Sequence, residues 1–166
     1  MSGMIFKLVD IMEEQLVYYD YLLGLSNEKR DYIIDNSIDE LQKVTELENK
    51  IINKNNGLEK LRLECIKDIA DVLNVADSEL TIKELVALID GHNGSSELDE
   101  IAYKIKDKIE LLKSANSHNK MLIQNSLEYI DYTMNAIYTS CESDPVVSGY
   151  GDENLINNTK LFDVTQ

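Results

Sequence analysis

The chain has 166 residues, a net charge of −15, 43% hydrophobic residues, one proline and no tryptophan. A surface this acidic repels phosphate backbones and anionic headgroups, which argues against nucleic acid as a partner; no run is long and apolar enough for membrane insertion. Long periodic stretches almost without proline predict an all-α protein: an elongated antiparallel bundle, with a coiled-coil hairpin of two long helices, a short helix and a long C-terminal helix. The length suits one domain and a tail, here residues 1–142 as the helical bundle and 143–166 as a flexible C-terminal tail.

From Met4 to about Asp35 the chain reads as a first helix. Ile5, Leu8, Met12, Leu16, Tyr19 and Leu23 recur at helical spacing. Val9, Ile11, Tyr18, Leu22 and Leu25 widen this face until it suits two neighbours rather than one. Gly24 and Ser26-Asn27 are weak points, and Ile33-Ile34 are expected to rejoin the core. Asp35-Asn36-Ser37 is a short connection, which makes antiparallel neighbours. The second helix is expected from Ser37 to about Asn74. Val44, Ile51, Leu58, Cys65 and Val72 make one seven-residue row, and Leu41, Leu47, Leu61 and Ile69 an offset second one. Ser37 is the expected cap, with Glu40 reaching back to it. Asn55-Asn56-Gly57 has the composition of a turn, yet Ile51, Leu58 and Cys65 stay in phase across it. That phase predicts a continuous helix, weakened by about 1 kcal/mol at Gly57 relative to alanine.

Val75-Ala76-Asp77-Ser78 breaks the pattern as a linker. Thr81 and Glu84 form a cap-plus-glutamate signature that opens a short helix, Ile82 to Asp90, stopped by Gly91-His92-Asn93-Gly94. The last helix is expected from Glu97 to about Ser140, with Glu97, Asp99 and Glu100 in its first turn. Leu98, Ile105 and Leu112 make one row; Ala102, Ile109, Ile123, Ile130 and Ile137 make another. Asn116, Asn119 and Ser126 enter the seam. Either buried amides set the register there, or this half of the helix is not fully covered. Leu122, Leu127, Tyr129, Met134 and Tyr138 add more apolar surface than one seam needs. Ser143 to Gln166, with Asp144-Pro145 and Gly149-Tyr150-Gly151, reads as a mobile tail carrying one hydrophobic spot, Leu161-Phe162-Asp163.

Little of this composition is catalytic. His92 and His118 have no ligand-spaced partners and read as ordinary linker and surface histidines. A histidine phosphotransfer domain would carry a Lys-Gly pattern just after its histidine, whereas Asn119-Lys120-Met121 follows His118. There is no phosphate-binding glycine loop and no nucleophile elbow. The carboxylates are spread over helix faces, as on a solvated surface. No enzyme activity, metal or cofactor is expected. Cys65 lies on an apolar row and reads as a small buried hydrophobe, with no disulfide framework implied by Cys65 and Cys141. Met1-Ser2-Gly3-Met4 leads straight into an amphipathic pattern rather than a signal peptide, so the cytoplasm is the expected compartment.

Several stretches together resemble the FlgN-type flagellar export chaperones. These are Glu28-Lys29-Arg30 with Ile33-Ile34, then Leu41, Glu46, Glu48 and Ile51-Ile52, then Leu58-Glu59-Lys60-Leu61-Arg62. In the last helix Asn119-Lys120-Met121-Leu122-Ile123 and Leu127-Glu128-Tyr129-Ile130 are similar to the family's Asn-x-x-Leu-Leu and Leu-x-Tyr stretches. Tyr150-Gly151 and Leu161-Phe162-Asp163 resemble the tails of members from Gram-positive bacteria. The resemblance implies a cytoplasmic chaperone that binds hook–filament junction proteins, keeps them unassembled and export-competent, and delivers them to the flagellar type III export gate and its ATPase apparatus. An incompletely covered amphipathic helix can accept a client's amphipathic terminal helix as an added bundle member. The expected surface is Leu122, Ile123, Leu127, Ile130, Met134, Ile137 and Tyr138. Tyr129 and Tyr150 are the candidates for gate docking, and Leu161 and Phe162 for a docking peptide. Such a chaperone is expected to be a monomer or weak homodimer. The rival reading is a structural coiled-coil scaffold that acts by self-assembly.

Overall fold

The computed structural model describes residues 2–75 and 80–142, with side chains described up to 140. Among the described residues there are four helices and no strand: α1 (Ser2–Ile34), α2 (Ile38–Leu73), α3 (Ile82–Leu88) and α4 (Ser95–Glu142). The chain divides into two compact units, Met1–Glu128 and Tyr129–Gln166. The expected tail from residue 143 lies outside the described residues.

In the first unit α1 and α2 form the expected antiparallel hairpin. Cys65 Sγ donates to the Met4 carbonyl at 3.4 Å, Gln15 Nε2 donates to Glu59 Oε2 at 3.1 Å, and Lys29 pairs with Glu48. These contacts ascend α1 as they descend α2. α4 ascends with α1 instead. Gly94 rests on Ile5, Lys108 Nζ pairs with Asp20 Oδ1 at 2.7 Å, and Asn119 Nδ2 donates to the Ser26 carbonyl at 2.7 Å. α1 is therefore the shared helix, which accounts for the width of its apolar face.

The core sits where all four helices meet. Ile5, Leu8 and Met12 from α1 pack with Cys65 and Ile69 from α2, Leu85 and Ile89 from α3 and its end, and Leu98 from α4. Full burial of one such side chain stabilises by about 1.5–3 kcal/mol. Cys65 behaves as the expected small hydrophobe, and its burial raises the thiol pKa above the usual value. The expected capping box at α3 is present. Glu84 N–H donates to Thr81 Oγ1 at 3.2 Å, and the Thr81 N–H donates to Glu84 Oε2 at 2.9 Å.

α2 is helical through Asn55, Asn56 and Gly57, as its phase predicts. The expected face needs correction. Leu47, Leu61 and Val72 are exposed, and burial follows Val44, Ile51, Asn55, Leu58, Arg62, Cys65, Ile69 and Leu73. Val44, Ile51, Leu58 and Cys65 of the seven-residue row stay covered; such a row drifts around a straight helix of 3.6 residues per turn, and by Val72 it has left the covered stripe. The expected Ser37 cap does not form. Asn36 takes a left-handed φ of 54°, and the Ser37 N–H donates to the Tyr32 carbonyl at 2.9 Å, so the connection closes the end of α1. Glu40 pairs with Lys43 at 2.6 Å rather than reaching back. Ile33 is buried, but Ile34, turned one position onward, faces solvent.

Two glycines have opposite expected responses. Gly57 lies inside α2 with nothing within 4 Å of an added Cβ, so Gly57→Ala should stabilise by about 0.5–1 kcal/mol. Gly94 has φ +96°, and an added Cβ would stand 2.9 Å from Ile5 Cγ2, so Gly94→Ala should destabilise by about 1–3 kcal/mol. Urea unfolding followed by circular dichroism checks both; midpoints moving the same way would contradict this packing.

The α3 cap carries a pH dependence. Hydrogen bonds from Thr81 hold the Glu84 carboxyl below its usual pKa in the folded chain. Its contribution is therefore complete above the unfolded carboxylate pKa and is lost as pH falls through the lowered folded value. The stability difference between wild type and Glu84→Gln should shrink across that acidic window in urea titrations, and a constant difference would refute it.

Candidate functional site

α4 changes character along its length. Leu98, Ile101 and Ile105 are buried, and Ala102, Ile109 and Leu112 are half-buried. A polar node then joins α4 to α1. Ser26 Oγ donates to Asn116 Oδ1 at 3.0 Å, while Asn119 Nδ2 donates to Ser26 Oγ at 3.1 Å as well as to the Ser26 carbonyl. Ser26 and Asn119 are both buried, so each polar group satisfies the other where water is excluded. Asn116 itself is exposed. The two readings of these asparagines both hold, at different points. Asn119 is a buried, hydrogen-bonded amide, and apolar cover falls away after it.

In the first unit Leu122 is half-buried, while Ile123 and Leu127 are exposed. In the second unit Tyr129, Ile130, Met134, Ile137 and Tyr138 are all exposed, with Ile130 at 50% and Ile137 at 52%. Tyr132, at 73%, joins them and was not singled out by the sequence pattern. Ser126, Thr133 and Thr139 donate to carbonyls one turn back along α4. The positions Ile123, Leu127, Ile130, Met134 and Ile137 are spaced for one helix side and carry no charge. Such a row offers burial rather than chemistry. Each half-exposed Ile or Met that becomes fully covered is worth roughly 1 kcal/mol. Tyr150, Leu161 and Phe162 lie outside the described residues.

An open groove of about 450 Å³ adjoins the start of this row within the first unit. Leu22, Ile52, Leu112 and Ile123 line it, with the Lys29–Glu48 pair, Asn119 and Lys120 at its edge. Ile52 was legible only as one of a pair, Ile51-Ile52. It is exposed because α2 turns Ile51 and Asn55, not Ile52, toward α1. Leu22 was read only as core widening.

The remaining titratable groups form no constellation. His118 is exposed, and His92 is exposed with its Nδ1 3.2 Å from the Ile89 carbonyl. Among the described residues no cluster of three or more His, Cys, Asp or Glu could hold a metal ion, and no helix is long and apolar enough to cross a membrane.

Four helices among the described residues, the last carrying an uncharged, exposed row, place the chain in the class of helical proteins whose surface offers burial rather than chemistry. A family model described as FlgN protein matches residues 1–153, and the chain belongs to the FlgN family of flagellar assembly chaperones. Comparison with the curated proteins and with the solved structures gives no match.

The polar node gives a direct expectation. Asn119→Ala should lower stability by about 1–3 kcal/mol, because it strips a buried hydrogen-bond partner from Ser26. A double-mutant cycle with Ser26→Ala should return a coupling of about 0.5–1.5 kcal/mol in urea unfolding. A coupling indistinguishable from zero would show that the two side chains do not support one another.

Proposed function

We propose that the chain is a cytoplasmic chaperone for hook–filament junction proteins, holding them unassembled and export-competent and passing them to the flagellar export gate. Membership of the FlgN family supports the chaperone class. The observation that carries the binding site is the row on α4. Ile123, Ile130, Met134 and Ile137 continue the helical spacing of Leu98, Ile105 and Leu112, yet they are exposed where the earlier residues are covered. A client's amphipathic terminal helix supplies the missing cover, taking Ile130, Met134, Ile137 and Tyr138 in the second unit and Leu122, Ile123 and Leu127 in the first. The row accepts many apolar side chains without demanding one hydrogen-bond pattern, which suits a chaperone with related clients. Exposed Tyr129, together with Tyr150, is proposed to dock the export gate, with Leu161 and Phe162 as an auxiliary docking peptide.

Calorimetric titration with the terminal helical segments of the same organism's junction proteins tests this reading. Saturable one-to-one binding is expected. Ile130→Asp should weaken it at least tenfold, since a carboxylate would have to be buried under the client, while most of the helical circular dichroism remains. If Ile130→Asp unfolds the chain, the residue is core and the site is misplaced. Absence of binding combined with a stable oligomer would favour the self-assembling scaffold instead.

A further inference from the structure

The groove of about 450 Å³ that α1, α2 and α4 line is a blind end for a helix laid along the α4 row. From Leu127 and Ile123 the exposed side of α4 leads into it. Before Leu112 the same side of α4 is closed, because Ile105, Ile101 and Leu98 are buried in the core. A partner helix that follows the row back toward the core therefore ends in the groove. Leu22, Ile52 and Leu112 give its last turn an apolar floor, and Ile52, on α2, is 40% exposed.

The rim decides which end of the partner arrives there. Asn116, Lys120 and Gln124 follow one another at four-residue steps, which sets them in one line along α4, and all three are exposed. Asn116 Oδ1 accepts from Ser26 Oγ, so its Nδ2 keeps a donor in hand. Lys120 and Gln124 have no hydrogen bond or ion pair among the described residues. Glu48 is the one carboxylate lining the groove among the described residues, and Lys29 already pairs with it. The C-terminal end of a helix presents carbonyls without intrahelical donors and partial negative charge, whereas the N-terminal end presents free N–H groups and partial positive charge. Unused donors and an unpaired ammonium complement the first and oppose the second. We propose that the groove receives the C-terminal end of the client's helix, whose last carbonyls accept from Lys120, Asn116 and Gln124, so that the client runs antiparallel to α4. This rests on the chaperone reading above and adds to it a polarity and a contact on α2.

The test uses the full chain and the terminal helical segments of the junction proteins, each carrying a nitroxide on either the last or the first residue of its helix. The label on the last residue should broaden the Ile52 methyl signal, and the label on the first should leave it sharp. In calorimetric titration Ile52→Asp should weaken binding at least tenfold, since a carboxylate would be buried against the carbonyl end of the client. Lys120→Glu should weaken it at least threefold, by a factor that shrinks as salt is raised. Both residues are exposed, so both variants should keep the helical circular dichroism of the wild type. The reverse broadening pattern, or wild-type affinity in either variant, would overturn the proposal. If Ile130→Asp still weakened binding in that case, the chaperone reading would stand without it; if no segment bound the wild type, both would fall.

Discussion

A helix can bury its apolar side only where another helix lies along it, and in this chain α1 is the helix against which the others are arranged. Ile5, Leu8 and Met12 hold α2, α3 and the start of α4 in one core. α1 has 33 residues and α4 has 48. Past Asn119 the apolar residues Ile123, Ile130, Met134 and Ile137 are exposed, and such side chains add stability only where something covers them.

The Ser26–Asn116–Asn119 node marks where α4 changes from structural element to surface. Apolar packing tolerates sliding, whereas a buried amide held by two hydrogen bonds tolerates little. The node therefore fixes α4 against α1 at the last fully buried position before the row opens. Lys108 and Asp20 add a second tie nearer the core, on a more exposed part of the surface where such a pair contributes less.

Much of this architecture was legible in the residues. Helical spacing located all four helices to within about two residues at each end. The unbroken phase from Ile51 to Cys65 correctly overruled the turn-like Asn55-Asn56-Gly57. The Thr81–Glu84 signature located α3, and the apolar surplus of α4 pointed to exposed surface. What was not legible depended on which neighbour each face meets. Leu47 and Leu61 have the composition of core residues and are exposed, because they face away from the other described helices. Gln15 has the composition of surface and is wholly buried, reaching Glu59, which Arg62 also holds at 2.6 Å. Ser37 makes no side-chain cap hydrogen bond, and its N–H, the group Glu40 was expected to reach, closes the end of α1 instead. The polar node was visible only as two of the three polar interruptions of the α4 pattern, Asn116 and Asn119; its partner on α1, Ser26, looked like a weak point.

The central proposal is that the far part of α4, exposed among the described residues, is covered by the client. Hydrogen–deuterium exchange along α4, with and without a junction-protein terminal helix, tests it most directly. The account predicts slow exchange around Leu98 to Leu112 in both states. From about Ile123 to Ile137 it predicts fast exchange in the free chain that slows when the segment is added. Equal protection of both stretches in the free chain, or new protection confined to α1 and α2, would contradict it.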